Sequence, residues 1–223
     1  MRKGLSMNHL LRPAAWLILA LTLPVSAGYA QQPSRMALPA PQTTIGKPVM
    51  EVFALRQSIR EYAEKPLPAQ ELSNLLWAAW GINRADGRRT APSAVNYQEI
   101  ELYVLLPDGA YRYNAQDHAL DPMVAGDQRK SISPRDVVVN APVVFAYVAD
   151  FSKMRGGITD GNMVLAHTDA CFISENVYLY AASQGLGTVV MGSINREVSA
   201  KALNLGETQF VTYAQPVGYQ RSE

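Results

Sequence analysis

Glu99-Ile100-Glu101-Leu102-Tyr103-Val104-Leu105-Leu106-Pro107-Asp108-Gly109-Ala110-Tyr111-Arg112-Tyr113 is the stretch on which the fold class turns. Ile100, Leu102 and Val104 alternate with Glu99, Glu101 and Tyr103, the period-two pattern of a strand with one face covered. Pro107-Asp108-Gly109 then supplies a turn before Tyr111-Arg112-Tyr113, so the stretch predicts a β-hairpin. A hairpin this early, set among helical patterns, argues against a repeating βαβ plan. The chain reads as one α+β domain, and no internal repeat of about twenty to fifty residues is visible.

On the N-terminal side, Leu72, Leu75, Leu76, Ala79 and Trp80 recur at helical spacing, with Pro68 at the start and Gly81 at the end. A shorter helical pattern, Val49, Val52, Phe53 and Leu55, runs from Pro48 to Arg56. On the C-terminal side, Val137–Val139 and Val143–Val148 are dense in β-branched residues, with Pro142 at a strand start or an irregularity. The strongest helix is predicted over 162–184, its face including Val164, His167, Cys171, Val177, Tyr178 and Ala181, and Gly185 stops it. Thr188 to Ile194 and Gln209 to Val217 read as the last strands, with a short helix over 196–203 between them.

The beginning of the chain reads as an address. Arg2, Lys3 and Arg12 precede an apolar run from Ala14 to Leu23, no acid occurs before Glu51, and small residues lead to Gly28-Tyr29-Ala30. These are the parts of a secretory signal, with cleavage expected after Ala30 and Ala27 as second choice. The run is shorter than the roughly 20 apolar residues a permanent span requires, so no stable membrane anchor is expected after cleavage. The expected location is periplasmic or secreted. Residues 31–47, with several prolines and little periodicity, read as a flexible linker or arm, and 48–223 as the folded domain.

Composition excludes several function classes. Hydrophobic residues make up 48% of the 223, enough for a core, and charged residues 17%. Lys and Arg total 20 against 19 acids, a balance that gives no field for nucleic acid. Three histidines and one cysteine do not furnish a zinc cluster or a disulfide framework. Serine-hydrolase, zinc-protease, P-loop and dinucleotide fingerprints are absent from the sequence. Cys171 is expected to be a small buried hydrophobe, His118 an exposed surface residue and His167 a satisfied core histidine.

Three segments carry chemistry. Arg56-Gln57-Ser58-Ile59-Arg60 offers two guanidinium groups and a hydroxyl that could converge on one phosphate, or simply a solvated basic helix end. Ala91-Pro92-Ser93-Ala94-Val95-Asn96-Tyr97-Gln98 lets a flat ligand approach and offers amides to a polar ring edge, though a plain loop into a strand fits as well. Gln184-Gly185-Leu186-Gly187-Thr188-Val189-Val190-Met191-Gly192 places glycines at a helix-to-strand junction, where a cap and tight turn also explain Gly185 and Gly187.

Taken together, the order and spacing of these segments resemble the FMN-dependent nitroreductase family, over most of the chain from about Pro48 to Arg221. Leu76 to Arg84 and the Gly126-Asp127-x-Arg129 stretch look closest to its SagB-type dehydrogenase branch. The resemblance implies an α+β homodimer with a central, mostly antiparallel sheet flanked by helices, and two FMN sites, each built from both chains. Carried over by position, Arg56, Ser58 and Arg60 would hold the phosphate and ribityl chain. Pro92, Ser93 and Asn96 would line the isoalloxazine, and Gly187, Met191 and Gly192 would lie near its N5. Arg221 matches a C-terminal residue that helps neutralise the phosphate. The implied reaction moves hydride through flavin N5 between a small-molecule donor and an organic acceptor, with no catalytic side chain assigned. Gln57 in place of a second basic residue, and Glu99-Ile100 in place of Pro-Trp, depart from the family pattern. A non-catalytic flavin-binding module and an interaction module that has lost flavin are the competing readings. An exported member would meet little NAD(P)H, so an organic donor or another non-nicotinamide reductant is expected.

Overall fold

The computed structural model describes Met1 and residues 33–221. The expected signal and its cleavage point lie outside the described residues. The hairpin is formed by β2 (Ile100–Leu106) and β3 (Gly109–Asn114), with Leu106 paired to Gly109 across a two-residue loop. It is the middle of a seven-stranded, wholly antiparallel sheet. In chain order the other strands are β1 (Met36–Ala37), β4 (Ala119–Ala125), β5 (Val143–Asp150), β6 (Leu186–Thr188) and β7 (Gln209–Tyr219). Their spatial order is β1-β4-β3-β2-β5-β7-β6.

Helices cover both faces. On one side lie α1 (Val49–Leu55), α2 (Ala69–Trp80) and the 25-residue α5 (Asp160–Gln184). Leu72, Leu75 and Leu76 of α2, with Ala166, Ala170, Ile173 and Val177 of α5, pack on Leu102, Val104, Phe145 and Tyr147 of the sheet. On the other side, the one-turn helices α3 (Arg129–Ile132) and α4 (Asp136–Val139) and the longer α6 (Arg196–Ala202) press Ile132, Val138 and Leu203 onto Tyr103, Leu105, Val144, Ala146 and Val148. β5 is therefore covered on both faces, which is why its sequence is an unbroken apolar run. Each fully buried Leu, Ile or Phe contributes about 1.5–3 kcal/mol. Tyr103 falls on the same period as Glu101 yet is 1% exposed, because the second helical layer covers that face.

The long helix begins where Thr159 accepts from Asn162 N and ends at Gly185, which is left-handed at φ 72. Three expectations change, and one strand was not foreseen. The strand expected over Thr188 to Ile194 is instead β6, Leu186–Thr188, with Met191 joined to Ala214 by an isolated bridge. Val137–Val139 is helical, not extended: Asn140 N reaches Asp136 O in a single turn, and only Val138 of the three is buried. β4 carries Pro122 in its interior, which its sequence does not advertise as a strand. The proline sits past the end of β1, where β4 is an edge and no ladder donor is lost. Over 33–47 the segment read as a flexible linker or arm is a docked arm, with Met36–Ala37 paired to β4, Leu38 in the core, and Gln42 N on Asn74 Oδ1 at 2.8 Å.

Candidate functional site

After α1 the chain leaves the helix extended at Arg56, with φ −60 and ψ 121. It then runs beside β6, where Ile59 N donates to Thr188 O at 2.9 Å. The close approach explains Gly187, since a Cβ there would stand 2.7 Å from Ile59 Cγ2. Tyr178 of α5 clasps the two segments: its hydroxyl lies 3.0 Å from Ser58 Oγ and accepts from Val190 N at 2.9 Å. The Arg56 guanidinium lies 5.4 Å over the same ring. Arg60 lines a separate cleft of about 330 Å³ with Arg221, and Arg221 N donates to Glu61 O at 3.4 Å. Among the described residues, Arg56, Arg60 and Arg221 have no carboxylate within ion-pair distance.

The third segment continues from this clasp. Met191 exchanges backbone bonds with Ala214 at 2.7 and 3.0 Å, and exposed Gly192 follows, 3.6 Å from Tyr213 at its Cβ position.

Pro92, Ser93 and Asn96 line a cleft of about 430 Å³. The loop behind them is strained, because Val95, Asn96 and Gln98 all have positive φ, at 53, 59 and 49. For Val this left-handed geometry costs on the order of 1–2 kcal/mol. Two buried acids hold the loop. Asp169 Oδ2 accepts from Ala94 N at 2.8 Å, and Ser93 Oγ accepts from Gln98 N at 2.8 Å while donating to Glu99 Oε2 at 3.3 Å. Glu99 is fully buried and Asp169 is 2% exposed. Burial, with Asp169 adding to it, pushes the Glu99 carboxyl up to about 7, and its Oε1 has no partner.

The structure thus joins the first and third segments and Arg221, and sets the second apart. Asp169 and Tyr178, their anchors on α5, are separated by roughly 13 Å of helical rise. The clefts lined by Gln57 and Ile59, by Arg60 and Arg221, and by Pro92, Ser93 and Asn96 share no residue.

His118, His167 and Cys171 do not stand where expected. His118 is half-buried, with Nε2 2.7 Å from Ser73 Oγ and Nδ1 2.9 Å from Tyr113 OH, because the docked arm covers it. His167 is half-buried with Nδ1 unpartnered, edge-on to Phe210 and Tyr213, and burial pushes its pKa down. Cys171 is exposed on the outer face of α5. The Gly126 stretch has a local structural use, since Asp127 pairs with Arg129 at 2.6 Å and Arg129 reaches Ala141 O. Sequence reasoning gave no site role to Tyr178, Asp169 or Arg89. Only Glu99 gave a signal, as an acid where the pattern has an apolar pair.

Comparison with known proteins agrees with this architecture. The family model described as the nitroreductase family matches residues 54–219. A nitroreductase relative from Methanocaldococcus jannaschii is 30% identical over 178 residues, covering 75% of this chain and 89% of that one. A solved nitroreductase-type structure from Ralstonia eutropha is 36% identical with TM-score 0.81, covering 97% of each chain. A chain of the Escherichia coli microcin synthetase complex shares the fold alone, at 19% identity and TM-score 0.65 over 82% of this chain and 77% of that one. With the family match running from the end of α1 to the end of β7, through all three motif segments, this chain belongs to the nitroreductase family.

Proposed function

We propose that this nitroreductase-family oxidoreductase is an exported FMN enzyme whose site is completed by a second copy of the chain. One observation carries the cofactor assignment: Arg56, Ser58 and Arg60 lie on the segment after α1 that is tied to β6 and Tyr178, with neither guanidinium in an ion pair among the described residues. Unanswered guanidinium pairs beside a fixed hydroxyl suit a phosphomonoester and a polyol chain. Arg221 adds charge from the chain end. Pro92, Ser93 and Asn96 supply a surface for a flat ring, and Gly192 an exposed backbone beside it. Bound FMN would supply two-electron hydride exchange between a small donor and an organic acceptor.

The separation of the second segment from the other two supports a two-chain site. Apolar groups are also left uncovered on α1 (Val49, Met50, Phe53) and α5 (Val164, Phe172). Export rests on the basic, apolar and small-residue order of residues 1–30. Outside the cytoplasm NAD(P)H is scarce, so the donor is read as another small organic reductant. Robust steady-state turnover with NADH or NADPH would count against that donor.

A visible spectrum of the purified protein, taken after adding FMN and desalting, tests the core of the proposal. A retained flavin spectrum that Arg56→Ala with Arg60→Ala abolishes is the expected result. No retained flavin in a folded, dimeric protein would turn the reading to an interaction module, and flavin retained by the double variant would reject the phosphate assignment.

A further inference from the structure

The cleft lined by Pro92, Ser93 and Asn96 is lined also by Arg84, Arg88 and Arg89. The proposed function uses the three neutral residues and leaves the three guanidinium groups without a role. Arg88 is paired, with Nη1 on Asp86 Oδ2 at 2.6 Å. Among the described residues Arg84 is not paired with an acid; its Nε goes to Asn83 Oδ1 at 3.1 Å and its Nη2 to Arg89 O at 3.0 Å. Arg89 is half-buried and lies 4.7 Å over the Trp80 ring, with Nε on Gln98 Oε1 at 2.7 Å and Nη1 on Trp80 O at 2.8 Å. Its hydrogen bonds thus end on neutral oxygens, so its charge is held in place and left uncompensated. Desolvation pushes its pKa down, the signature of a cation without an anion.

Three cations against one carboxylate on the wall of one cleft concentrate anions and repel cations. The flavin phosphate is not the anion this wall awaits, because Arg60 and Arg221, assigned to it, line a cleft that shares no residue with this one. A guanidinium fixed by stacking and two hydrogen bonds offers its remaining edge in one orientation, which suits a planar, two-oxygen acceptor.

We infer that the molecule exchanging hydride at this site is a small organic anion whose carboxylate is received by Arg84 and Arg89, with Arg88 forming the outer wall. This rests on the reading of Pro92, Ser93 and Asn96 as flavin-lining residues. It assigns the substrate class that the family resemblance leaves open.

Calorimetric titration of the FMN-loaded full chain with benzoate, benzamide and phenyl phosphate tests it. Benzoate is expected to bind about tenfold or more tightly than benzamide, and more tightly than phenyl phosphate. The preference should shrink as salt rises. It should collapse toward unity in Arg84→Gln with Arg89→Gln and fall part of the way in Arg84→Gln alone, in protein that still carries FMN and melts like the wild type. Equal binding of benzoate and benzamide by flavin-loaded protein overturns the inference while leaving the FMN reading intact, as does a preference that survives the double variant. Tighter phenyl phosphate overturns the choice of carboxylate. If the protein takes up no FMN, the FMN reading fails, and the same titration of flavin-free chain decides the anion site alone: a retained benzoate preference supports it and equal binding overturns it.

Discussion

At the scale of single residues, Glu99 ties the stability of the site to pH. Its carboxyl is fully buried, with one oxygen on Ser93 Oγ and the other unpartnered. Burial raises its pKa from an ordinary 4.5 to about 7. Between those values the folded chain holds a proton that the unfolded chain has released. The associated stability is fully present below pH 4.5 and is lost as pH rises through about 7. Glu99→Gln keeps the shape and cannot ionise. Urea melts at pH 5 and pH 8 are expected to show wild type losing on the order of 2 kcal/mol more than the variant over that interval. A wild-type loss no larger than the variant's would mean that Glu99 ionises normally. Tyr178 acts through its hydroxyl alone. Tyr178→Phe leaves the ring packed but strands Val190 N–H and Ser58 Oγ, at a cost of about 1–3 kcal/mol. The variant is expected to retain less FMN after desalting than wild type, and undiminished retention would remove Tyr178 from the site.

Among the elements, the loop from Ser93 to Gln98 has a backbone at odds with its sequence. Val95 is 83% exposed, so packing does not justify a β-branched residue at φ 53. Val95→Asn, which tolerates that geometry, is expected to stabilise the protein by about 1 kcal/mol in thermal or urea melts. A loss of stability would show that the valine makes contacts this account lacks. The same loop shows where sequence reading reaches its limit. The hairpin, both long helices and β7 were legible because apolar periodicity follows directly from which face is covered. The helical turn over Asp136–Val139 was not, since four residues cannot distinguish a buried strand from a single turn. β1, β4 and the docked arm were missed because their pairing depends on partners distant in the chain. For the candidate site, spacing singled out the three motif segments as candidates. Tyr178, Asp169 and Arg89 act through contacts across 120, 75 and 9 positions respectively, and even the short span of Arg89 gives no periodic signal.

For the whole molecule the question is how the second segment meets the other two. Within one chain its anchor on α5 lies roughly 13 Å along the helix from the Tyr178 clasp, and their clefts have no residue in common. A single flavin contacting all three segments is most simply served by two chains, each lending one part. The apolar side chains left in water support that arrangement: Met50 is 74% exposed, Phe53 54% and Val164 64%. Burying such groups between copies contributes about 25 cal/mol per Å² of apolar surface before the costs of association. Charges at the centre of that surface should block pairing without disturbing the core, because α1 buries only Val52. Met50→Glu with Phe53→Glu is therefore expected to sediment as a folded monomer at concentrations where wild type sediments as a dimer. If each site is shared, the monomer should also lose FMN on desalting, although every residue assigned to the flavin is intact. A folded monomer that keeps one FMN per chain would place the whole site within a single copy, and the gap between the segments would then have to close by movement within the chain.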